Sequence, residues 1–152
     1  MRRCLVTTLV VLLAGFAASA AYAAKALTPK AQLEKEATNI IVGKVRSIAS
    51  STALTSQYKH ITYVAVIGVD SVEKGAGLQA GHVVYAHYWS KAWIGVGAPP
   101  PDDSGHWPSP KTNDVVRVYL TGKNKESGYD VYFKNGFDIL APTRQPSTAA
   151  TR

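Results

Sequence analysis

From residue 39 onward, apolar and polar residues alternate over short stretches, and this period of two is typical of β-strands with one buried face. The stretches are separated by glycine, proline and small polar residues, which favours several brief strands. Gly43 and Gly68 interrupt the first two and predict bulges or a close approach of two backbones. Lys134, Asn135 and Gly136 turn the last strand into an apolar segment at 137–142. The pattern predicts five strands, at residues 39–48, 60–69, 83–90, 114–120 and 129–133.

The chain between these strands is polar or rich in proline and glycine. We expect a polar link, a glycine-containing loop and a long proline-rich loop, in that order, at 50–56, 70–82 and 91–114. Before the first strand, Thr28 as N-cap and Pro29 at the first helical position predict a short helix. Leu33 and Ala37 give that helix a narrow apolar stripe, so it is expected to cover one end of the domain.

Five short antiparallel strands with little helix indicate a mainly β fold. Open sheet edges on so small a sheet would invite aggregation, which favours a closed or nearly closed barrel. The five-stranded Greek-key barrel of the oligomer-binding (OB) type, here with a short N-terminal helix, fits the strand count best. An SH3-like barrel or an immunoglobulin-like sandwich is the alternative.

The first residues have the order of charge and hydropathy that marks a secretory signal peptide. Arg2 and Arg3 precede an almost wholly apolar run at 5–20, and Ala21-Tyr22-Ala23 supplies the small-x-small pattern of a cleavage site. A single-pass anchor is the alternative, because about 18 apolar residues can span a bilayer. The pattern predicts cleavage after Ala23, export to the periplasm or cell exterior, and no membrane span in the mature protein.

Cleavage would leave 152 − 23 = 129 residues, which suits one domain. We place that domain at residues 24–142 and expect a disordered polar tail at 143–152. The single cysteine, Cys4, would be lost with the signal peptide. The exported protein would therefore fold by packing alone, with no disulfide.

The chain carries 17 Lys and Arg against 10 Asp and Glu, a formal charge of +7. Loss of Arg2 and Arg3 would lower this charge to +5. Outside the cytoplasm, a basic surface indicates anionic polysaccharide, lipid headgroups or acidic proteins before nucleic acid. The cations are scattered, so a generally soluble basic domain is the alternative.

Four segments together resemble small exported bacterial proteins of unassigned function. They read ATNIIVGKVRSI, YVAVIGVDSVEKG, KTNDVVRVYL and NGFDILAP. The resemblance covers roughly residues 37–142 and implies an OB barrel or its netrin-like relative, as in tissue inhibitors of metalloproteinases. Those inhibitors depend on an N-terminal cysteine and disulfides, which this chain lacks after export. The resemblance therefore implies a fold and not metalloproteinase inhibition.

The third predicted strand lies in the stretch YAHYWSKAW, which holds four aromatic rings in nine positions. Val83, Tyr85, His87 and Trp89 fall on one face, and we expect that face to look outward because the alternating residues are smaller. We also expect Tyr63, Ala65 and Ile67 to lie beside it on the second strand. OB barrels bind ligands there, and outward rings stack on bases or sugars. The alternative is that the helix or the long loop covers these rings.

The loop motif GHWPSP offers a second candidate, since Asp102, Asp103 and His106 could bind a divalent metal. Metal sites usually need three or four suitably spaced ligands. The other histidines, His60, His82 and His87, lie elsewhere in the sequence. We therefore favour a plain turn with Trp107 folded back on the core, and we predict no metal and no cofactor.

No catalytic motif is present, so the sequence does not predict an enzyme. The leading hypothesis is an exported, non-enzymatic domain that binds a peptide, protein or glycan on the outer face of the second and third strands and the 91–114 loop. A structural or envelope-stress module without a ligand, and a hydrolase with an unrecognised site, are the alternatives. The residues expected to contact or support the ligand are Tyr85, His87, Trp89, Trp93, Trp107, Lys44, Arg46 and Arg117.

Overall fold

A computed structural model describes residues 27–99, 105–123 and 127–141. The predicted signal peptide at 1–23, the predicted tail at 143–152, and Asp102 and Asp103 lie outside these ranges. Over the part of the chain that the structure describes, no helix has the length and apolar character needed to cross a bilayer.

Within the described ranges, one helix and six strands form the fold. They are α1 (Lys30–Glu36), β1 (Asn39–Leu54), β2 (Tyr58–Lys74), β3 (Val83–Trp93), β4 (Val115–Lys123), β5 (Tyr129–Val131) and β6 (Phe137–Ala141). Strands β1, β2, β3, β5 and β4 follow one another around a ring that closes where β4 pairs with β1, and β6 pairs with β4. The β3–β5 pair is parallel and the others are antiparallel. The predicted five-stranded barrel with a short N-terminal helix is therefore confirmed.

The barrel interior is filled by alternate residues of each strand. Val84, Ala86 and Tyr88 of β3 are buried, as the alternation predicts. On β2, however, the expected outward direction of Tyr63, Ala65 and Ile67 is wrong. Ala65 and Ile67 are fully buried in the core, and Tyr63 packs against it with its ring stacked on Tyr88. The antiparallel register pairs Tyr63, Ala65 and Ile67 with Tyr88, Ala86 and Val84, and directly opposed residues share a face.

Helix α1 covers one end of the barrel, as its apolar stripe predicts. Leu33 and Ala37 are buried together with Ile40 and Tyr119 in a second apolar cluster. The helix start is fixed by Asn135, whose amide accepts a hydrogen bond from the Thr28 N–H and donates one to the Thr28 carbonyl, both at 3.0 Å. The N-cap residue is Pro29, one position later than predicted, with no capping side chain.

The first two strands are longer than predicted. The expected link at 50–56 is strand up to Leu54, and β2 starts again at Tyr58 after a tight turn. Likewise, the first part of the expected loop at 70–82 belongs to β2. Serine, threonine and alanine accept extended backbone when a neighbouring strand pairs with them, so their polarity was a poor sign of a link. Residues 47–54, 58–66 and 85–93 thus form a three-stranded part of the sheet, called the wing below.

Candidate functional site

The outer face of the wing carries every second residue of YAHYWSKAW. On β3, this outer face includes Tyr85, His87 and Trp89. The residues paired with them on the outer face of β2 are, in the same order, Val66, Val64 and Thr62. Tyr85 is 48% exposed, whereas His87 and Trp89 are half-buried. The alternation between an outer aromatic face and an inner packed face is therefore present along β3.

Two neighbouring cavities run across this face. The larger, of about 360 Å³, is lined by His60, Ile61, Thr62, His87, Tyr88, Trp89 and Asp130. The smaller, of about 240 Å³, is lined by Ala49, Ser50, Ser51, Thr62, Val64 and His87. The two cavities adjoin each other, since Thr62 and His87 line both, and together they are called the groove below.

The Trp89 ring packs against two other rings of the protein, those of Phe133 and His106. It stacks on Phe133 with ring centroids 5.4 Å apart and planes 7° from parallel, and it meets the edge of His106 at 6.0 Å. Aromatic pairs in such offset and edge arrangements stabilise the orientation of both rings. One side of the indole is thus engaged with the protein while the residue still lines the groove.

His87 is oriented by a contact to the β4–β5 connection. Its Nε2 lies 2.9 Å from the Ser127 carbonyl oxygen, a contact that assigns the ring hydrogen to Nε2. In the neutral form of the ring, Nδ1 is then the acceptor nitrogen. Asp130 stands opposite His87 in the parallel β3–β5 register and also lines the groove. The groove thus combines a fixed ring with an imidazole and a carboxylate.

His106 is only 6% exposed and contacts the backbone of both β3 and β5. Its Nε2 lies 3.2 Å from the Val131 carbonyl oxygen, and its Nδ1 lies 3.3 Å from the Trp89 backbone nitrogen and 3.2 Å from the Trp89 carbonyl oxygen. A neutral imidazole with its hydrogen on Nε2 donates to the Val131 carbonyl and accepts from the Trp89 N–H at Nδ1. Strands β3 and β5 pair over only two residues, so His106 links the two strands where they separate. With both ring nitrogens bonded to backbone, His106 has a structural role.

The expectation that Trp107 folds back on the core is wrong. The side chain is 62% exposed, and the backbone N–H of Trp107 donates to the Lys134 carbonyl at 3.0 Å. The buried ring of this loop is His106 instead, because only a ring with two polar nitrogens can serve the β3 and β5 backbones together. Within the described ranges, no three metal-ligating side chains cluster, and Asp102 and Asp103 lie outside those ranges.

Burial lowers the pKa of His106, so protonation at acid pH is expected to weaken the fold. Above the unfolded-state pKa of about 6.5 both states are neutral; below it the unfolded chain takes up a proton that the folded chain resists. The free energy of unfolding should therefore fall as pH drops below about 6.5, by at most about 1.4 kcal/mol per pH unit from this group. Urea titrations of wild type and His106→Gln between neutral and mildly acid pH will measure this slope. A slope as steep in the variant would contradict the assignment.

The remaining predicted contact residues are dispersed. Trp93 lies at the far end of the wing, its ring edge on Tyr58 at 5.0 Å and its Nε1 donating to the Gly97 carbonyl. Arg117 forms a 2.7 Å ion pair with Glu73. Trp107 lies beside the β5–β6 turn.

Two predicted cationic residues, Lys44 and Arg46, are exposed on β1. The Arg46 guanidinium lies over Gly68, where a Cβ would come within 2.5 Å of its Nε. Among the described residues that line the groove there is no lysine and no arginine. The structure thus brings together His87 and Trp89, with Tyr85 next along the same face.

His60, Thr62 and Asp130 are among the groove residues that were not predicted from the sequence. His60 and Thr62 sit on alternate positions of β2, so the correct phase of that strand would have found them. Asp130 gave no signal, because only the parallel pairing of β3 with β5 places it opposite His87.

Comparison of the chain with protein-family models, with curated proteins and with solved structures finds no match. No activity or ligand is therefore transferred from a relative. What the groove can bind follows from its own shape and chemistry.

Proposed function

We propose that this chain is an exported, non-enzymatic binding domain whose groove holds a glycan. The observation that carries the proposal is the convergence of a fixed indole, at Trp89, with hydrogen-bonding side chains around one open cavity. Ligand sites typically combine apolar or aromatic walls with a few placed polar groups that fix orientation. The polar side chains here are His60, Thr62, His87 and Asp130.

A glycan fits this arrangement better than a peptide. Extended peptides usually bind by adding a strand to a sheet edge, where main-chain groups are available. The groove lies on the face of a sheet, where the backbone groups of β2 are engaged in the β1–β2 and β2–β3 ladders. Along β2 the groove therefore offers side chains. Rings and side-chain hydrogen-bonding groups suit the apolar faces and hydroxyls of sugars.

Binding rather than hydrolysis is supported by the number of carboxylates. Glycoside hydrolysis generally needs two carboxyl groups on either side of the scissile bond. Among the described residues that line the groove, Asp130 is the one carboxylate. Export is supported by the apolar run and small-x-small pattern of the first 23 residues.

A glycan array followed by calorimetry tests the proposal. His87→Ala is expected to weaken binding of an array-selected glycan about tenfold, the effect of losing one or two hydrogen bonds in the groove. Trp107→Ala, which removes a more exposed ring outside the groove, should leave the affinity within about twofold. Equal losses in the two variants, or no glycan bound at all, would rule out the groove as a glycan site.

A further inference from the structure

The outer edge of the wing is a long strand segment with one partner. From Ser47 to Leu54, β1 pairs with β2 in continuous register, and its pairing with β4 ends at Lys44. Within the described ranges, no strand pairs with the other side of this segment. An edge of this kind presents backbone donors and acceptors that can pair with a further strand.

The usual protection of an edge strand is missing here. Monomeric proteins place charges, prolines or bulges on such edges, but residues 47–54 read SIASSTAL and carry neither charge nor proline. The register shift in β1 comes earlier, between Val45 and Ser47. In a chain with a formal charge of +7, this uncharged edge is a place where two copies can approach with little repulsion.

The edge is also complementary to itself. Antiparallel pairing about a two-fold axis at Ser51 would place Leu54 of one copy opposite Ile48 of the other, and Ala49 opposite Ala53. Leu54 is 69% exposed, whereas Ile48 packs partly against the core. Such a pairing would remove the Leu54 side chains of both copies from water. It would also place Arg46 of each copy opposite the uncharged Ser56 of the other.

From these observations we infer that a second copy of this chain is the partner of the β1 edge, joined antiparallel about Ser51. The two wings then form one six-stranded sheet with the order β3-β2-β1-β1-β2-β3. Ala49 and Ser51 line the groove next to this edge, so the two grooves lie side by side on one continuous face. A long or repeating ligand could engage both grooves, with the gain in avidity that linked sites provide. The dimer itself does not depend on what the groove binds.

Two single-cysteine variants test the register. In a Cys4→Ser background, Ser51→Cys places the two thiols on the axis, within the 4.4–6.8 Å Cα separation of a disulfide. Ala53→Cys, the matched control on the same face, sets its two thiols about four residues apart along the paired strands, roughly 13 Å. Mild oxidation should link most of Ser51→Cys as a dimer, and at least about tenfold less of Ala53→Cys.

Edge pairings of small area are weak, so the wild-type chain is measured at a high concentration, about 100 µM. Light scattering at this concentration is expected to give twice the mass of one chain. Ser51→Lys, which sets two ammonium groups on the axis, should return the mass of one chain with unchanged circular dichroism. A single-chain mass for wild type would overturn the proposal, as would equal crosslinking of the two cysteine variants. Capture of a foreign strand at this edge by a monomeric chain would overturn it as well.

Discussion

Replacing His106 by alanine is expected to lower the free energy of unfolding by about 3–5 kcal/mol. The substitution removes a buried ring that lies edge-on to Trp89 and Phe133, so it leaves a cavity where β3 and β5 separate. It also removes the hydrogen-bond partners of the Trp89 N–H and the Val131 carbonyl. Urea unfolding at neutral pH, followed by tryptophan fluorescence, measures the change.

The neighbouring residue is the control for this experiment. Trp107→Ala deletes a larger side chain that is 62% exposed, and should change the free energy of unfolding by less than about 0.5 kcal/mol. If the two substitutions cost the same, His106 does not hold β3 and β5 together. A stable His106→Ala protein would contradict the structural role directly.

Gly43→Ala is expected to destabilise the barrel by about 2–3 kcal/mol. A Cβ at this position would lie 2.2 Å from the Gly68 carbonyl oxygen and 3.0 Å from Cγ2 of Ile67. The closest atom belongs to backbone within the β1–β2 ladder, so no side-chain rotation can relieve the clash. The strands would have to separate where Gly43 pairs with Val69, and thermal or urea unfolding will report the loss.

Gly122→Ala is the matched control on another strand. A Cβ there meets nothing within 4 Å, and the residue does not have a positive φ. Alanine should therefore be neutral or stabilise the fold by up to about 1 kcal/mol, because it restricts the unfolded chain. A Gly122→Ala loss as large as that of Gly43→Ala would show that the close approach of β1 to β2 is not the cause.

The orientation of a strand can be predicted from the sequence when its two faces differ clearly in side-chain size or hydropathy. On β3, large outward rings alternate with small inward residues, so the phase of the strand was evident from Tyr85 to Trp89. On β2, residues 60–69 are largely apolar on both faces, and the phase was assigned wrongly. It is fixed instead by pairing with β3, which a single strand's periodicity does not contain.

The end of β1 was missed for a different reason. Residues 49–54 are exposed on both faces, so no alternation separates them from a link. Only the ladder with β2 shows that they are extended. Hydropathy patterns therefore detect least well the edge strands that are exposed to solvent on both faces. In this protein, such a strand segment forms the inferred dimer contact.

Part of the candidate site was predictable and part was not. His87 and Trp89 were identified because they share a face of a single strand. Asp130 and His106 reach the site through the parallel β3–β5 pairing and the bridge between Ser90 and Gly105, contacts between segments far apart in sequence. The sequence analysis raised His106 only as a possible metal ligand and gave no signal for Asp130, because local periodicity connects neither residue with β3.

The most direct test of the groove uses the three tryptophan side chains as reporters. Each indole N–H gives its own nuclear magnetic resonance signal, and Trp89, Trp93 and Trp107 occupy different parts of the protein. Titration with an array-selected glycan is expected to shift the Trp89 indole signal and to leave that of Trp107 in place. A shift confined to Trp107, with Trp89 unmoved at saturation, would show that the ligand lies elsewhere on the barrel.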